Sequence, residues 1–166
     1  MRRRSLGEQD TYSAAQWMPL PRSGRTSSES KASSEWYFEV EILGARFGGT
    51  NEEAPEIGIG VSGLLTDELL TAHPGWNPGS CGFHCDNAKL YEGREEGEST
   101  GGVPSRVGDK IRCIVATESH SEARCTVRFL HNGKQVATAE LEGPIYPVVA
   151  LTNPGEKVKV SLVVPH

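Results

Sequence analysis

Three consecutive residues, His84, Cys85 and Asp86, supply a base, a nucleophile and an acid. Successive side chains of a β-strand point to opposite faces of the sheet. Neighbours on a strand therefore cannot converge on one substrate, as a nucleophile and its base must. We expect no catalytic residues here and no enzymatic activity.

Four cysteines are the next reactive group: Cys81, Cys85, Cys113 and Cys125. No Cys-x-x-Cys pair or zinc-like His spacing accompanies them, so we expect neither a metal nor a cofactor. A hairpin turning symmetrically about Ser119 would set Cys113 opposite Cys125, with both thiols in the core. In a reducing compartment these are expected as buried free thiols, a disulfide being the alternative. Cys81 and Cys85 share one face of a regular strand and are expected to pack.

Four acids fall within seven residues, at Glu92, Glu95, Glu96 and Glu98. They lack the alternating oxygen ligands and central glycine of a calcium loop. We expect a solvated face, with attraction for basic segments of a partner as the alternative.

Composition excludes several functional classes. The 166 residues carry a net charge of -5 and are 36% hydrophobic. An acidic balance argues against general nucleic-acid binding, which requires clustered Lys and Arg. The longest apolar runs fall short of the roughly 20 residues of a membrane span, and the Arg-rich start has no apolar stretch behind it. We expect a soluble protein of the cytoplasm or nucleus.

Charge divides the chain near residue 34. Residues 1–34 hold six basic and three acidic side chains, a net charge of +3, which leaves -8 for the rest. Residues 19–34 are rich in Ser and poor in apolar side chains, so they cannot offset the entropy of ordering. We expect a flexible segment over 1–34, within which Tyr12–Met18 is a possible short strand that docks on the domain.

From residue 35 onward the sequence has the periodicity of strands. Apolar and acidic residues alternate over Trp36–Leu43, and Gly58 and Gly60 leave one face of the next strand bare, open to a neighbouring side chain or backbone. Asn132-Gly133 is a strong hairpin signal. Nine or ten short strands separated by turns predict an all-β fold, a two-sheet antiparallel β-sandwich.

Six ordered blocks resemble the SPRY domain, in the branch of Ran-binding-protein-like and SPRY-only proteins. They are Trp36–Leu43, Ile57–Ser62, Cys81–Tyr91, Val107–Cys113, Val127–Lys134 and Ile145–Leu151. The resemblance places one domain at 35–164. It implies a concanavalin A-like sandwich that acts as a non-catalytic protein-interaction module, such as a substrate-recognition or scaffold subunit of ubiquitin ligase, chromatin or signalling complexes. Such domains usually have one or two strands before the first block, where this chain offers only Tyr12–Met18.

Antiparallel strands place alternate connections at opposite ends of a sandwich. Counting from Gly44–Pro55 puts 63–79, 94–106, 132–133 and 153–157 together at the other end. The resemblance also assigns the loop after the Gly-Val-Ser strand and the turn after the Tyr-Pro strand to a peptide-binding face. The predicted partner-binding residues are Leu64, Leu65, His73, Trp76, Asn77, Asn153 and Pro154.

Two alternatives stay open for this surface. Leu69, Leu70 and Trp76 form either a binding patch or a loop that caps the core. The partner is either another protein, bound by a monomeric domain, or a sugar bound in a lectin-like manner through Trp76 and nearby amides. The absence of a secretion signal, a calcium motif and any Asn-x-Ser/Thr site favours the protein.

Overall fold

A computed structural model describes residues 34–49, 53–63, 72–117 and 124–163. Within these ranges the chain forms ten β-strands and no helix. The strands are β1 (Glu35–Gly44), β2 (Ile57–Ser62), β3 (Ser80–His84), β4 (Lys89–Glu92), β5 (Glu98–Ser99), β6 (Lys110–Thr117), β7 (Arg124–His131), β8 (Lys134–Glu142), β9 (Tyr146–Leu151) and β10 (Lys157–Val163).

The strands form two antiparallel sheets, which confirms the predicted β-sandwich. The first sheet has the order β10-β1-β6-β7-β8, and the second has the order β5-β4-β3-β2-β9. Residues 1–33 of the predicted flexible segment, including the predicted strand Tyr12–Met18, and residues 64–71 of the predicted loop 63–79 lie outside the described residues. No helix in the described ranges is long and apolar enough to cross a membrane.

The core lies between the two sheets and follows the predicted alternation. In β1 the side chains of Phe38, Val40 and Ile42 are fully buried, whereas the glutamates between them are partly exposed. Phe83 of the second sheet meets Phe129 of the first with ring centroids 6.4 Å apart. Each fully buried aliphatic or aromatic side chain of this kind stabilises the fold by about 1.5–3 kcal/mol.

The Asn132-Gly133 hairpin is confirmed. Both residues have positive φ, 50° and 84°, the conformation that a type I′ turn requires. Hydrogen bonds to residues outside the turn hold it in place. The side-chain amide of Asn132 donates to Asp109 Oδ1 at 2.8 Å, and the side-chain oxygen of Asn132 accepts from the Lys110 N–H at 2.8 Å.

The cysteine prediction is confirmed in burial and wrong in register. Cys113 and Cys125 are buried free thiols on the inner face. However, Cys113 lies opposite Phe129 and Cys125 lies opposite Thr117. The pairing of β6 with β7 is centred two residues later than a turn symmetric about Ser119 would place it, so the two thiols do not face each other.

The assignment of connections to the two ends of the sandwich is also wrong. We call the end where β1 starts, at Glu35, the proximal end, and the end where it finishes, at Gly44, the distal end. Gly44 pairs with Lys157, and the Phe47 N–H donates to the Pro154 carbonyl at 2.8 Å. The turn of residues 153–156 is therefore distal, beside the loop from which it was predicted to be remote.

The cause of this error is an extra crossing of the sandwich. The acidic segment contains the short strand β5, and the chain then continues to Gly108, whose N–H donates to the Ile42 carbonyl at the distal end. Because of this additional crossing, every later connection lies at the opposite end of the sandwich from the one predicted. The Asn132-Gly133 turn is distal for the same reason, since His131 pairs with Ile111 near the start of β6.

Candidate functional site

Two glycines, Gly58 of β2 and Gly82 of β3, leave part of the outer face of the second sheet bare, and the segment His73–Gly75 lies across them. A Cβ atom at Gly82 would lie 2.2 Å from the Pro74 carbonyl oxygen, and one at Gly58 would lie 2.7 Å from His73 Nδ1. These distances are shorter than real contacts, so only glycine allows this approach. The prediction that the glycine face accepts a neighbouring segment is confirmed.

Four rings gather on this face, and we call His73, Trp76, His84 and Tyr91 the ring cluster. The imidazole of His73 lies 5.0 Å from the Trp76 ring and 4.9 Å from His84, and His84 stacks on Tyr91 at 3.9 Å between centroids. His84 and Tyr91 are buried, His73 is half-buried, and Trp76 is 38% exposed. The cluster thus presents one aromatic surface to solvent on three supporting rings.

Hydrogen bonds hold the segment that carries Trp76. The Trp76 N–H donates to the His73 carbonyl at 3.2 Å. The Ser80 hydroxyl donates to the Asn77 carbonyl at 2.5 Å and accepts from the Gly75 N–H at 3.0 Å. Because the backbone on both sides of Trp76 is tied down, the indole loses little conformational freedom when it meets a ligand.

The two imidazoles of the ring cluster are uncharged near pH 7. Burial lowers the pKa of His84 to about 4, against the opposing effect of its bond to the Pro74 carbonyl. Burial also lowers the pKa of His73, although the carboxylates of Asp86, Glu56 and Glu156 act to raise it. Two uncharged imidazoles beside an indole favour apolar and hydrogen-bonding ligands over strongly charged ones.

His73 links the ring cluster to the distal turn. Its Nε2 lies 2.6 Å from Thr152 Oγ1, at the end of β9. Its Nδ1 is buried and has no hydrogen-bond partner within the described residues. The chain passes directly from Thr152 to Asn153, so the cluster and the turn form a continuous surface.

A buried carboxylate organises that turn. Glu156 is 7% exposed, and its oxygens accept hydrogen bonds from the N–H groups of Glu56, Thr152 and Asn153 at 2.7, 2.9 and 2.9 Å. The Asn153 side-chain amide adds a bond of 3.2 Å. A pocket of about 280 Å³ lies between Asn153 and the described part of the loop that precedes β2.

The structure brings together some of the predicted site residues. His73 and Trp76 are in ring contact, and Asn77 follows them in the same segment. Asn153 and Pro154 lie at the distal turn, next to Thr152 but on a different connection. Leu64 and Leu65 lie outside the described residues, as do Leu69 and Leu70 of the capping alternative. Trp76 lies on the outer face of the sheet and therefore does not cap the core between the sheets.

The prediction did not include His84, Tyr91, Thr152 and Glu156. Tyr91 pairs with Gly82 across β3 and β4, and a bulky ring beside a bare glycine was a signal available in the sequence. Thr152 carried no such signal, because its contact with His73 spans 79 positions. The burial of Glu156 was not predictable either, because one of its hydrogen bonds comes from Glu56, 100 positions away.

The geometry of His84, Cys85 and Asp86 does not assemble a nucleophile. His84 faces the outer ring cluster, whereas Cys85 lies in the core. Burial raises the pKa of the Cys85 thiol to about 12, the reverse of what thiolate chemistry requires. In the described ranges no three His, Cys, Asp or Glu side chains come together as metal ligands.

The acidic residues of the β4–β5 region are solvent-exposed. Glu92, Glu95, Glu96 and Glu98 are all exposed, and Glu98 forms an ion pair with Arg94. The expectation of a solvated face is confirmed.

The fold and the ring cluster define a β-sandwich module that displays a rigid aromatic surface on one sheet. The sequence profile of the SPRY domain matches residues 35–164, and the chain belongs to the SPRY domain family, whose members are protein-interaction modules.

Two relatives illustrate the likeness. The chain is 31% identical over 129 residues to SPRY domain-containing protein 3 of Homo sapiens, covering 76% of this chain and 27% of that protein. It is 30% identical over 128 residues to the Ran-binding proteins 9/10 homolog of Drosophila melanogaster, covering 76% of this chain and 12% of that protein. The chain therefore spans about a quarter or less of the length of these relatives.

Solved structures agree with the fold. A human SPRY domain crystal structure superimposes with a TM-score of 0.60 and 31% identity, covering 75% of this chain and 74% of that one. The SPRY domain of human HERC1 superimposes with a TM-score of 0.53 and 21% identity over 78% and 77% of the two chains, which supports the fold alone.

Proposed function

We propose that this chain binds a partner protein, as an extended peptide or a folded surface. The binding surface consists of the ring cluster and the adjoining residues Thr152–Pro154 at the distal turn. The observation that carries the proposal is the exposed indole of Trp76, held against His73 and His84 at 5.0 and 5.8 Å. Preorganised aromatic side chains are the residues that most often dominate binding energy at protein interfaces.

The surroundings of Trp76 suit this role. Asn77 and Asn153 supply amide groups that both donate and accept hydrogen bonds at the rim of the surface. The neutral imidazoles avoid the cost of desolvating charge when a partner covers them. In a larger assembly the chain would then act as a substrate-recognition or scaffold subunit, in a ubiquitin ligase or a chromatin or signalling complex.

The test compares three forms of the tagged full chain in quantitative affinity capture from cytosol: wild type, Trp76→Ala and Val103→Ala. Val103 is a matched control because it is exposed and apolar but is not part of the ring cluster. We expect one or more proteins to bind wild type and Val103→Ala equally and Trp76→Ala at least about 10-fold less, as hot-spot truncation predicts.

Two results would contradict the proposal. Equal capture by all three forms would show that the ring cluster is not the binding surface. A signal on a glycan array that Trp76→Ala abolishes, without any protein lost from capture, would assign the surface to sugar binding. Melting temperatures of the two variants close to that of wild type would establish that each is folded.

A further inference from the structure

The outer edge of the second sheet is open along β9. The Ile57 carbonyl accepts a hydrogen bond from the Cys85 N–H on the β3 side, so alternation directs Gly58 and Gly60 toward β9, where they pair with Ala150 and Val148. The backbone groups of Pro147, Val149 and Leu151 consequently point away from β2. No strand of the described chain lies on that side.

This edge has one of the usual protections against unwanted pairing, Pro147, but lacks charged side chains. Tyr146–Leu151 contains no charged residue, whereas natural edge strands are commonly guarded by charges, bulges or covering segments. Pro147 removes one donor, but the N–H groups of Val149 and Leu151 remain available. An uncharged edge with free donors and acceptors is a template for another strand.

A second opening lies directly beneath the edge, in the first sheet. Val160 of β10 pairs with Val40 of β1, and residues opposite each other across a ladder project to the same face. Val40 is fully buried in the core, yet Val160 is 51% exposed. The core face of β10 is therefore uncovered at Val160, whereas Val158 and Leu162 on the same face pack against the core.

One added strand would close both openings. The strand β2 faces β6 across the core, so β9, next to β2, lies over β1, and the next position in the second sheet lies over β10. A strand at that position, about 4.8 Å beyond β9, would pair with Val149 and Leu151 and would cover Val160.

We propose that Tyr12–Met18 of this same chain occupies that position as an antiparallel partner of β9. β9 runs from the proximal to the distal end, since Tyr146 pairs with Ser62 and Leu151 with Ile57. An antiparallel partner therefore finishes at the proximal end, where the chain enters β1 at Glu35. The seven residues of Tyr12–Met18 match the six of β9.

The connection between the two strands is long enough. Residues 19–33 provide fifteen residues, which extend up to about 50 Å, and the spacing between packed sheets is about 10 Å. A tether of this length holds the segment at millimolar effective concentration beside the edge. An intramolecular strand is thus favoured over a second copy of the chain at ordinary protein concentrations.

The test is amide hydrogen exchange of the full chain, with the exchange of each amide measured by NMR. The Val149 and Leu151 amides, bonded to the added strand, are expected to exchange at least about 100-fold more slowly than amides facing solvent. Ala15→Pro removes a donor and breaks a strand in the middle of the segment, so it should restore fast exchange at both amides. Ser28→Pro is the matched control in the connection and should leave both amides slow.

Three results would overturn the proposal. The first is fast exchange of Val149 and Leu151 in the full chain. The second is slow exchange that survives Ala15→Pro. The third is slow exchange that depends on protein concentration and accompanies a dimer in sedimentation, which would assign the edge to a second copy. The Val127 amide, in the middle of β7, reports in each form that the sandwich is folded.

Discussion

The imidazole of His84 stacks on the phenol ring of Tyr91, with 3.9 Å between their centroids and 23° between their planes. His84 Nε2 lies 2.9 Å from the Pro74 carbonyl oxygen, which can only accept, so Nε2 donates. Burial on this face lowers the pKa of His84 to about 4. His84 is therefore an uncharged support for the Trp76 ring near neutral pH.

This low pKa predicts acid sensitivity of the fold. Above about pH 8 His84 is neutral in both the folded and the unfolded chain and contributes no pH dependence. As the pH falls from 6.5 toward 4, the unfolded chain binds a proton that the folded chain does not, so the free energy of unfolding decreases. The decrease from this group reaches at most about 3 kcal/mol.

His84→Gln should flatten this dependence, because glutamine does not titrate. The measurement is urea unfolding at several pH values between 7.5 and 4.5 for both forms. The variant is expected to be less stable at pH 7.5, having lost the ring stacking, and to lose less stability on acidification than wild type. Parallel stability curves for the two forms would contradict the prediction.

Gly82→Ala should destabilise the fold and disturb the ring cluster. A Cβ there would lie 2.2 Å from the Pro74 oxygen and 2.7 Å from its carbonyl carbon. Both are backbone atoms, so the segment His73–Trp76 must shift. Overpacking of this kind costs about 1–3 kcal/mol, and we expect at least 2 kcal/mol in denaturant unfolding.

Gly102→Ala is the control for this substitution. Gly102 is exposed, and the nearest contact of an added Cβ is the Thr100 hydroxyl at 3.1 Å. We expect a change of less than about 1 kcal/mol. A similar loss of stability in both variants would mean that the effect belongs to glycine replacement in general and not to the approach of Pro74.

Local patterns predicted the elements of this fold well. The alternation of β1, the glycine face of β2 and the Asn132-Gly133 turn each depend on residues close in sequence, and each is found as expected. The placement of the ends was not predictable in the same way. It required knowing that a two-residue strand, Glu98–Ser99, lies in the acidic segment, and two residues carry no periodicity.

In the candidate site, too, features set by residues close in sequence were predicted, whereas a contact between distant residues was not. Trp76 and His73 were predicted from residue type within one loop, and they are in contact. The contact that joins them to the distal turn, His73 with Thr152, spans 79 positions in the chain. Sequence spacing has no bearing on such a contact, which follows from the way the loop folds over the sheet.

The four thiols should be unreactive in the folded chain. Burial raises the pKa of Cys81, Cys85, Cys113 and Cys125, and only the thiolate reacts at an appreciable rate. A chromogenic thiol reagent at pH 8 should therefore label no cysteine in the native protein and all four in denaturant. Labelling of a thiol within minutes under native conditions would contradict the described burial.

Mild oxidation should not join Cys113 to Cys125. The residue opposite Cys113 is Phe129, four positions from Cys125 and so about 13 Å along the strand. A disulfide requires Cα atoms about 4.4–6.8 Å apart. Peptide mapping after treatment of the native protein with oxidised glutathione is expected to show no such bond, and its detection would mean that the strands pair in another register.

Glu156→Gln should loosen the distal turn beside the ring cluster. The Glu156 carboxylate accepts from three backbone N–H groups, those of Glu56, Thr152 and Asn153. Glutamine keeps one acceptor oxygen and places an NH₂ group, a donor, against the remaining N–H groups. Hydrogen bonds to a charged acceptor contribute about 1.5–3 kcal/mol each in buried settings, so we expect at least 1.5 kcal/mol of destabilisation.

Glu53→Gln is the control for Glu156→Gln, because it removes the same carboxylate charge at an exposed position. It tests whether loss of a negative charge alone lowers the stability. Glu53 pairs with Arg46 at 3.0 Å, with both side chains largely exposed, and surface pairs contribute little, between about 0 and 1 kcal/mol. Denaturant unfolding of the two variants should therefore separate them clearly. If Glu156→Gln costs no more than Glu53→Gln, the turn is held by its own backbone, and Thr152 would keep its contact with His73 without the buried carboxylate.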